Sequence, residues 1–243
     1  MMEKDSLVSI IIPVRRKENI SGLMMALTKS TYMNFEIIIV DRGKERSEQR
    51  NIGIGQAKGK YLLILDSDQH PSPCLIEECI RLSWTYDALY IREKIMTKGL
   101  FGYIRNWERW FYTGGPIDVV RWVKRQGCPL FDPKQSGPED SDWDRRVKGN
   151  RATTKNVFFH YENVNLGAYL KKKAYYSKSM SRFAKRNPGD KILDWRWRCF
   201  GVFLEDDKWK RFLSRPDLAL AVLFLIFLRG IVYVKNRNCP GQL

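Results

Sequence analysis

A chain of 243 residues with 44% apolar and 13% aromatic side chains can bury a core of ordinary domain size, which excludes disorder as its general state. Its 43 Lys and Arg against 27 Asp and Glu leave a formal charge of +16, which implies an anionic partner: nucleic acid, a phosphorylated substrate or an anionic membrane. Five cysteines without a C-x-x-C pair, and only two histidines, exclude a zinc cluster of the usual spacing and read as reduced thiols.

Residues 6–14 (S-L-V-S-I-I-I-P-V) read as a first strand, and Ile20, Leu23, Met24 and Leu27 as the apolar stripe of the helix that follows. Residues 35–40 form a second strand stopping at Asp41, and residues 49–57, with Gly59 as the stop, a second helix. The run at 61–65 (Y-L-L-I-L) is a strand buried on both faces of a parallel sheet, and it ends in Asp66-Ser67-Asp68. Strand, helix, strand, helix, strand with short connections is a right-handed α/β core. In such cores ligands bind at the carboxyl ends of the strands. Two carboxylates placed there can share Mg²⁺ or Mn²⁺, whose shell substrate phosphate usually completes. Read alone, D-x-D equally describes a capped turn; the order of the surrounding elements favours the ligand reading. His70, beside Pro71, reads as a turn residue near the metal.

Residues 96–115 are rich in aromatic and basic side chains between glycines. They read as a core-packed helix or as an acceptor-side helix whose Trp107 and Trp110 meet headgroups or sugar. His160 follows the apolar V-F-F at 157–159. Residues 166–186 carry seven Lys or Arg, with Leu166, Tyr169, Leu170, Lys173 and Ala174 at helical spacing, and read as a basic amphipathic helix. Residues 192–204 mix Trp, Arg and Phe as a water–hydrocarbon boundary does. Eleven apolar residues follow at 218–228, extended by 231–234 and flanked by Lys208, Lys210, Arg211, Arg215, Lys235 and Arg237. As a helix, 218–234 spans about 25 Å against a hydrocarbon core of roughly 30 Å, with Arg229 near enough to the far end to snorkel. The opening M-M-E-K-D-S carries no basic and apolar leader. The expected plan is therefore an α/β domain over 1–165, interface helices over 166–215 and a membrane-inserted helix over 216–236. The catalytic domain is expected on the cytoplasmic side of the cell membrane.

Four blocks occur in order: S-I-I-I-P-V-R near the start, I-I-I-V-D at 37–41, R-N-I-G-I-G-Q-A-K-G-K-Y-L-L-I-L-D-S-D at 50–68, and G-P-E-D-S-D-W-D-R-R-V at 137–147. Together they resemble family 2 of the GT-A glycosyltransferases, a group that includes prenyl-phosphate mannose synthases and cellulose synthases. The resemblance covers about the first two-thirds of the chain. It implies a GT-A fold, Rossmann-like with a mainly parallel sheet flanked by helices. It also implies a nucleotide-sugar donor, GDP-mannose first and a UDP-hexose next, and Mn²⁺ or Mg²⁺ held by Asp66 and Asp68 with His160 facing the metal or diphosphate. Donor contacts are expected from Pro13, Arg15, Asp41, Arg50, Lys58 and Ser67, with Asp41 accepting from base or ribose. In the E-D block Asp140 is the expected general base, Glu139 its neighbour and Asp142 the fallback. Two departures, R-G-K-E-R-S after Asp41 and Arg15-Arg16-Lys17 after Pro13, add positive charge near the nucleotide.

A sugar hydroxyl needs a base to attack at neutral pH, whereas an ionised phosphate does not. The E-D block therefore favours an inverting, membrane-attached transferase that moves a hexose to a sugar hydroxyl of a lipid-linked glycan. Transfer to polyprenyl phosphate is the alternative, implied by the resemblance of D-S-D-Q-H-P to the prenyl-phosphate mannose synthases. A nucleic-acid-binding protein would account for the charge but not for the apolar tail or the buried strand ending in D-S-D. A non-catalytic membrane scaffold leaves Asp66, Asp68 and Asp140 without a purpose. The expected partners are thus the donor, the lipid-borne acceptor and membrane lipids, with no nucleic acid.

Overall fold

The three apolar runs at the start of the chain become adjacent parallel strands, β1 (Val8–Pro13), β2 (Phe35–Val40) and β3 (Tyr61–Ile64), with β1 in the middle. The computed structural model describes residues 5–162, 165–177 and 179–237; the first four residues, Lys178 and Cys239 lie outside them. Every residue of β1 and β3 is buried, as continuous apolar runs in a doubly covered sheet require. The intervening helices are α1 (Ser21–Thr28) and α2 (Arg46–Gln56). Helix α2 starts three residues before the expected boundary because the face it buries is polar: Ser47, Gln49, Arg50 and Gly53. Gly53 lets α2 approach β1 closely, since a Cβ there would run into Ile11. Arg50, three residues earlier on the same face, is carried under the sheet edge.

The sheet continues through β4 (Gln69–Pro71), α3 (Leu75–Leu82), β5 (Ala88–Ile95), α4 (Gly99–Tyr112), β6 (Val120–Lys124), α5 (Glu139–Arg146) and β7 (Arg151–His160). Its seven strands lie in the order β2-β1-β3-β6-β5-β7-β4. The expectation of a mainly parallel sheet is corrected here. Strand β6 inserts antiparallel between β3 and β5, and β4 returns antiparallel to β7, so half the pairings are antiparallel. His70 is correspondingly a strand residue opposite Phe159, not a turn residue, and its ring lies tilted 4.5 Å from that of Tyr161. One edge of the sheet collects the carboxyl ends of β1, β2, β3, β5 and β7 with the starts of β4 and β6. Alternation along β1 sends Ile10 and Ile12 into one core and Ile11 into the other.

Residues 165–237 wrap onto α4 and build a third core around Trp107, Phe111, Phe183, Trp197, Phe203 and Val222. The expected single helix over 166–186 is two helices, α6 (Leu166–Ser177) and α7 (Met180–Arg186), whose buried residues are Tyr169 and Phe183. A short turn (Lys191–Leu193), a π-turn (Trp197–Gly201), the one-turn α8 (Val202–Leu204) and α9 (Lys208–Ser214) lead into α10 (Pro216–Arg237). With 22 residues α10 is about 33 Å long, and it is long and apolar enough to cross a membrane. Arg229 does not snorkel: its guanidinium turns inward to the buried Glu108 of α4. The four described cysteines, Cys74, Cys79, Cys128 and Cys199, are free thiols.

Candidate active site

The D-S-D turn leaves β3 at the carboxyl edge and is fixed from both sides. The Leu65 amide donates to the Ile11 carbonyl (3.1 Å), holding the chain on the sheet one residue beyond β3. The Asp66 amide then donates to Gln69 Oε1 (3.0 Å) and the Gln69 amide to the Asp66 carbonyl (3.0 Å). The Tyr161 amide donates to the Asp68 carbonyl (2.9 Å). Strand β4 exists to make that junction, bringing Asp68 beside His160 at the end of β7.

Asp66 and Asp140 face each other across two arginines. Arg50 is fully buried; its Nη2 donates to Asp66 Oδ1 at 2.9 Å, while Nη1 pairs with Asp140 and lies 3.4 Å from Glu139 Oε1. Arg121, at the start of β6, lies 3.7 Å from Asp66 and 3.5 Å from Asp140. The planar guanidinium of Arg50 suits this bridging, because its fork engages two carboxylates at once; the Phe131 ring packs 5.1 Å from it. Burial alone would raise the Asp66 carboxyl, but Arg50, Arg121 and Arg46 hold it well below the usual carboxylate range. Burial and the neighbouring Asp140 push Glu139 upward. Arg50, expected among the donor contacts, is engaged by three carboxylates.

A second chain of charges runs through Asp68. His160 Nε2 lies 3.2 Å from Asp68 Oδ2, and His160 Nδ1 bonds Glu93 on β5. Glu93 Oε2 lies 2.5 Å from Arg109 Nε on α4, and Arg109 Nη2 is 2.5 Å from Asp118 Oδ1. Burial depresses the imidazole, but its bonds to Asp68 and Glu93 override this and push it up to about 10. With both nitrogens facing carboxylates, His160 orients Asp68.

The remaining expected residues divide. Pro13 ends β1, Asp41 is exposed just beyond β2, and Ser67 Oγ donates to Glu18 Oε1 (2.7 Å), whose other oxygen accepts from the exposed Arg15 amide (2.6 Å). All four line the same edge as Asp66 and Asp68. Lys58 does not: it precedes β3, its amide donating to Glu36 Oε1 (2.7 Å) at the amino end of the sheet. The four residues of β3, about 13 Å of strand, separate the two ends. Asp142 is likewise removed from the base role. It is 1% exposed and bonds Arg146 (3.1 Å), Arg186 (2.8 Å) and Asn187 (3.3 Å), tying α5 to α7. Asp142→Ala is expected to lower the urea midpoint, measured by equilibrium unfolding, while the folded protein keeps any catalytic rate within a few-fold.

Arg121, Glu93 and Arg109 were not anticipated. For Arg121 and Glu93 the available signal was charge inside strand patterns, V-R-W-V-K and L-Y-I-R-E-K-I, since a charge between buried positions demands a partner. Helix α6 also reaches this edge: Tyr175 OH donates to Glu45 Oε1 (3.0 Å), and the Tyr176 ring packs on Gly137 just before the E-D block.

Among the described residues, no group of three Asp, Glu, His or Cys side chains gathers closely enough to hold an ion by itself. The donor chemistry still fits a hard divalent cation of the kind that takes one or two carboxylates and completes its shell with substrate phosphate. The Asp68 side chain is 42% exposed, and one of its oxygens is used by His160. Asp66, held by two arginines, stands beside it as the weaker donor.

No protein-family model matches the sequence. A stretch of 100 residues is 33% identical to an uncharacterized glycosyltransferase of Haemophilus influenzae, covering 31% of this chain and 34% of that protein. The matched part is thus about a third of that relative's length. Among solved structures, the chain resembles the mannosyltransferase PcManGT from Pyrobaculum calidifontis in complex with GDP-Man and Mn²⁺, with a TM-score of 0.63 and 13% identity over 96% of this chain and 88% of that one. It also resembles S. aureus TarS, with a TM-score of 0.52 and 16% identity over 94% of this chain and 53% of that one. These likenesses show a shared mixed α/β fold.

Proposed function

We propose that the protein is a metal-dependent inverting glycosyltransferase of the GT-A type that transfers a hexose from a nucleotide sugar to a hydroxyl of a lipid-linked glycan at a membrane. The observation that carries this reading is that the D-S-D turn lies at the carboxyl edge of the sheet with Asp66 linked through Arg50 and Arg121 to Asp140 on a different element, and Asp68 half-exposed beside His160. The glycosyltransferase relative supports it, as does the fold shared with an enzyme solved with GDP-Man and Mn²⁺; mannose from GDP-mannose is accordingly the first donor to test.

Asp41, Pro13 and the Arg15 turn line the nucleotide end of the crevice, and Asp68, with Asp66 beside it, would hold Mn²⁺ or Mg²⁺. Such an ion offsets the charge that builds on a departing nucleoside diphosphate. Asp140 takes the proton of the acceptor hydroxyl; the freed oxygen bonds to the anomeric carbon as the bond to the diphosphate breaks on the opposite face, inverting that centre. Arg50 and Arg121 hold the Asp140 carboxylate in place.

Calorimetric titration of GDP and UDP tests the donor half. Binding is expected to need Mn²⁺, to vanish on EDTA treatment, to fall at least tenfold in Asp68→Ala and to persist in Asp140→Asn. Binding of neither nucleotide under any of these conditions would contradict the proposal.

A further inference from the structure

We propose that α10 lies in the plane of an anionic membrane surface, its inner side on the protein and its outer side in lipid, and does not cross the bilayer. The inference rests on the membrane-attachment reading above and concerns how that membrane is met.

Helix α10 is apolar nearly all round, yet its two sides have different surroundings. Leu218, Ala219 and Val222 are buried in the core shared with α4 and the Trp197–Phe203 bend, and Leu225 is buried as well. Leu220, Phe224, Phe227, Ile231 and Val234 form an exposed stripe at spacings of four and three, one continuous helix face. A helix crossing the hydrocarbon core would surrender the first set to lipid and pull Arg229 away from Glu108, whose carboxylate is fully buried and also receives Arg105 and Tyr112. Losing one of the two arginines that offset the buried Glu108 charge opposes that movement.

Other exposed side chains of the C-terminal segment suit a headgroup boundary. Leu213 on α9 and Trp195, Phe200 and Leu204 in the preceding bend are exposed. Cations accompany the aromatics here: Arg211 lies 4.5 Å from the Trp110 ring, Lys210 5.7 Å from Trp209 and Arg196 5.7 Å from Trp195. Aromatic rings with Lys and Arg beside an apolar stripe are the composition of an in-plane interfacial helix. A chain charge of +16 selects an anionic surface. The same α4 that holds Arg229 through Glu108 holds the site through the next residue, Arg109, paired with Glu93. The membrane-facing helix and the site are therefore mounted on one rigid element.

The test uses the full chain with a C-terminal epitope tag in sealed membrane vesicles from expressing cells, with protease added outside. In vesicles whose catalytic domain is digested from outside, the tag is expected to be cleaved at the same rate with or without detergent. A tag protected until detergent is added would show a spanning helix and overturn the inference while leaving membrane attachment intact. In parallel, purified protein is floated with vesicles of phosphatidylcholine alone or with added phosphatidylglycerol. At least tenfold more protein is expected with the anionic vesicles, and Phe224→Asp with Phe227→Asp should abolish flotation while leaving the unfolding midpoint and GDP binding unchanged. Flotation with neither vesicle overturns both the inference and membrane attachment. So does a soluble dimer that the same substitutions dissociate, since the stripe would then be a contact between copies.

Discussion

Arg50→Met is expected to abolish sugar transfer and to destabilise the protein by about 3–5 kcal/mol, the usual consequence of removing one partner from a buried ionic cluster. The argument rests on what the substitution leaves behind. Asp66, Glu139 and Asp140 all depend on this one fully buried guanidinium; without it, three carboxylates crowd a site from which water is largely excluded. Arg121 approaches Asp66 and Asp140 only at 3.5–3.7 Å, too far to replace it by direct hydrogen bonds. Arg50→Lys restores the charge but not the fork, so its stability should fall between wild type and Met, with transfer still severely reduced. Urea unfolding monitored by tryptophan fluorescence, together with initial transfer rates, checks both parts. Wild-type stability in Arg50→Met would mean that the carboxylates do not depend on it.

Asp140→Asn is expected to lower turnover by about a hundredfold or more, the usual range for loss of a positioned general base, with nucleoside diphosphate affinity retained. The amide keeps the shape and its oxygen still accepts from Arg50, so the substitution removes proton abstraction with little change in packing. It also discriminates between acceptors. A lipid phosphate is ionised at neutral pH and needs no base, so turnover within a few-fold of wild type would favour polyprenyl phosphate as acceptor, with Arg50 and Arg121 beside the reacting phosphate. Donor affinity by calorimetry and turnover by labelled transfer, measured on one preparation, separate the two cases.

The parallel half of the sheet was legible because its strands are uninterrupted apolar runs, which report two-sided burial with little help from context. β4 and β6 were not: three and five residues long and partly polar, they are defined by the neighbours they pair with. The D-S-D turn announced its place because it follows such a run, and the E-D block because of the resemblance. Asp142 lies two residues from Asp140 yet faces α7 instead of the crevice, a difference of helix face that the spacing of acids alone does not resolve. Arg50 and Lys58 looked alike in sequence, as isolated cations on one helix and its exit. The backbone sends one to the carboxyl edge and the other to the amino edge of the sheet. The apolar tail was legible as apolar, but its inner ion pair depends on Glu108, more than a hundred residues away.

The central claim is transfer of a sugar from a nucleotide at the D-S-D edge, and one measurement addresses it directly. Detergent-solubilised protein is incubated with Mn²⁺, radiolabelled GDP-mannose or UDP-hexoses, and extracted membrane lipids, and label is counted in the lipid extract. Mn²⁺-dependent labelling from one of these donors, absent in Asp68→Ala and strongly reduced in Asp140→Asn, is the predicted result. Labelling from none of the donors, or labelling that Asp68→Ala leaves undiminished, would contradict the account.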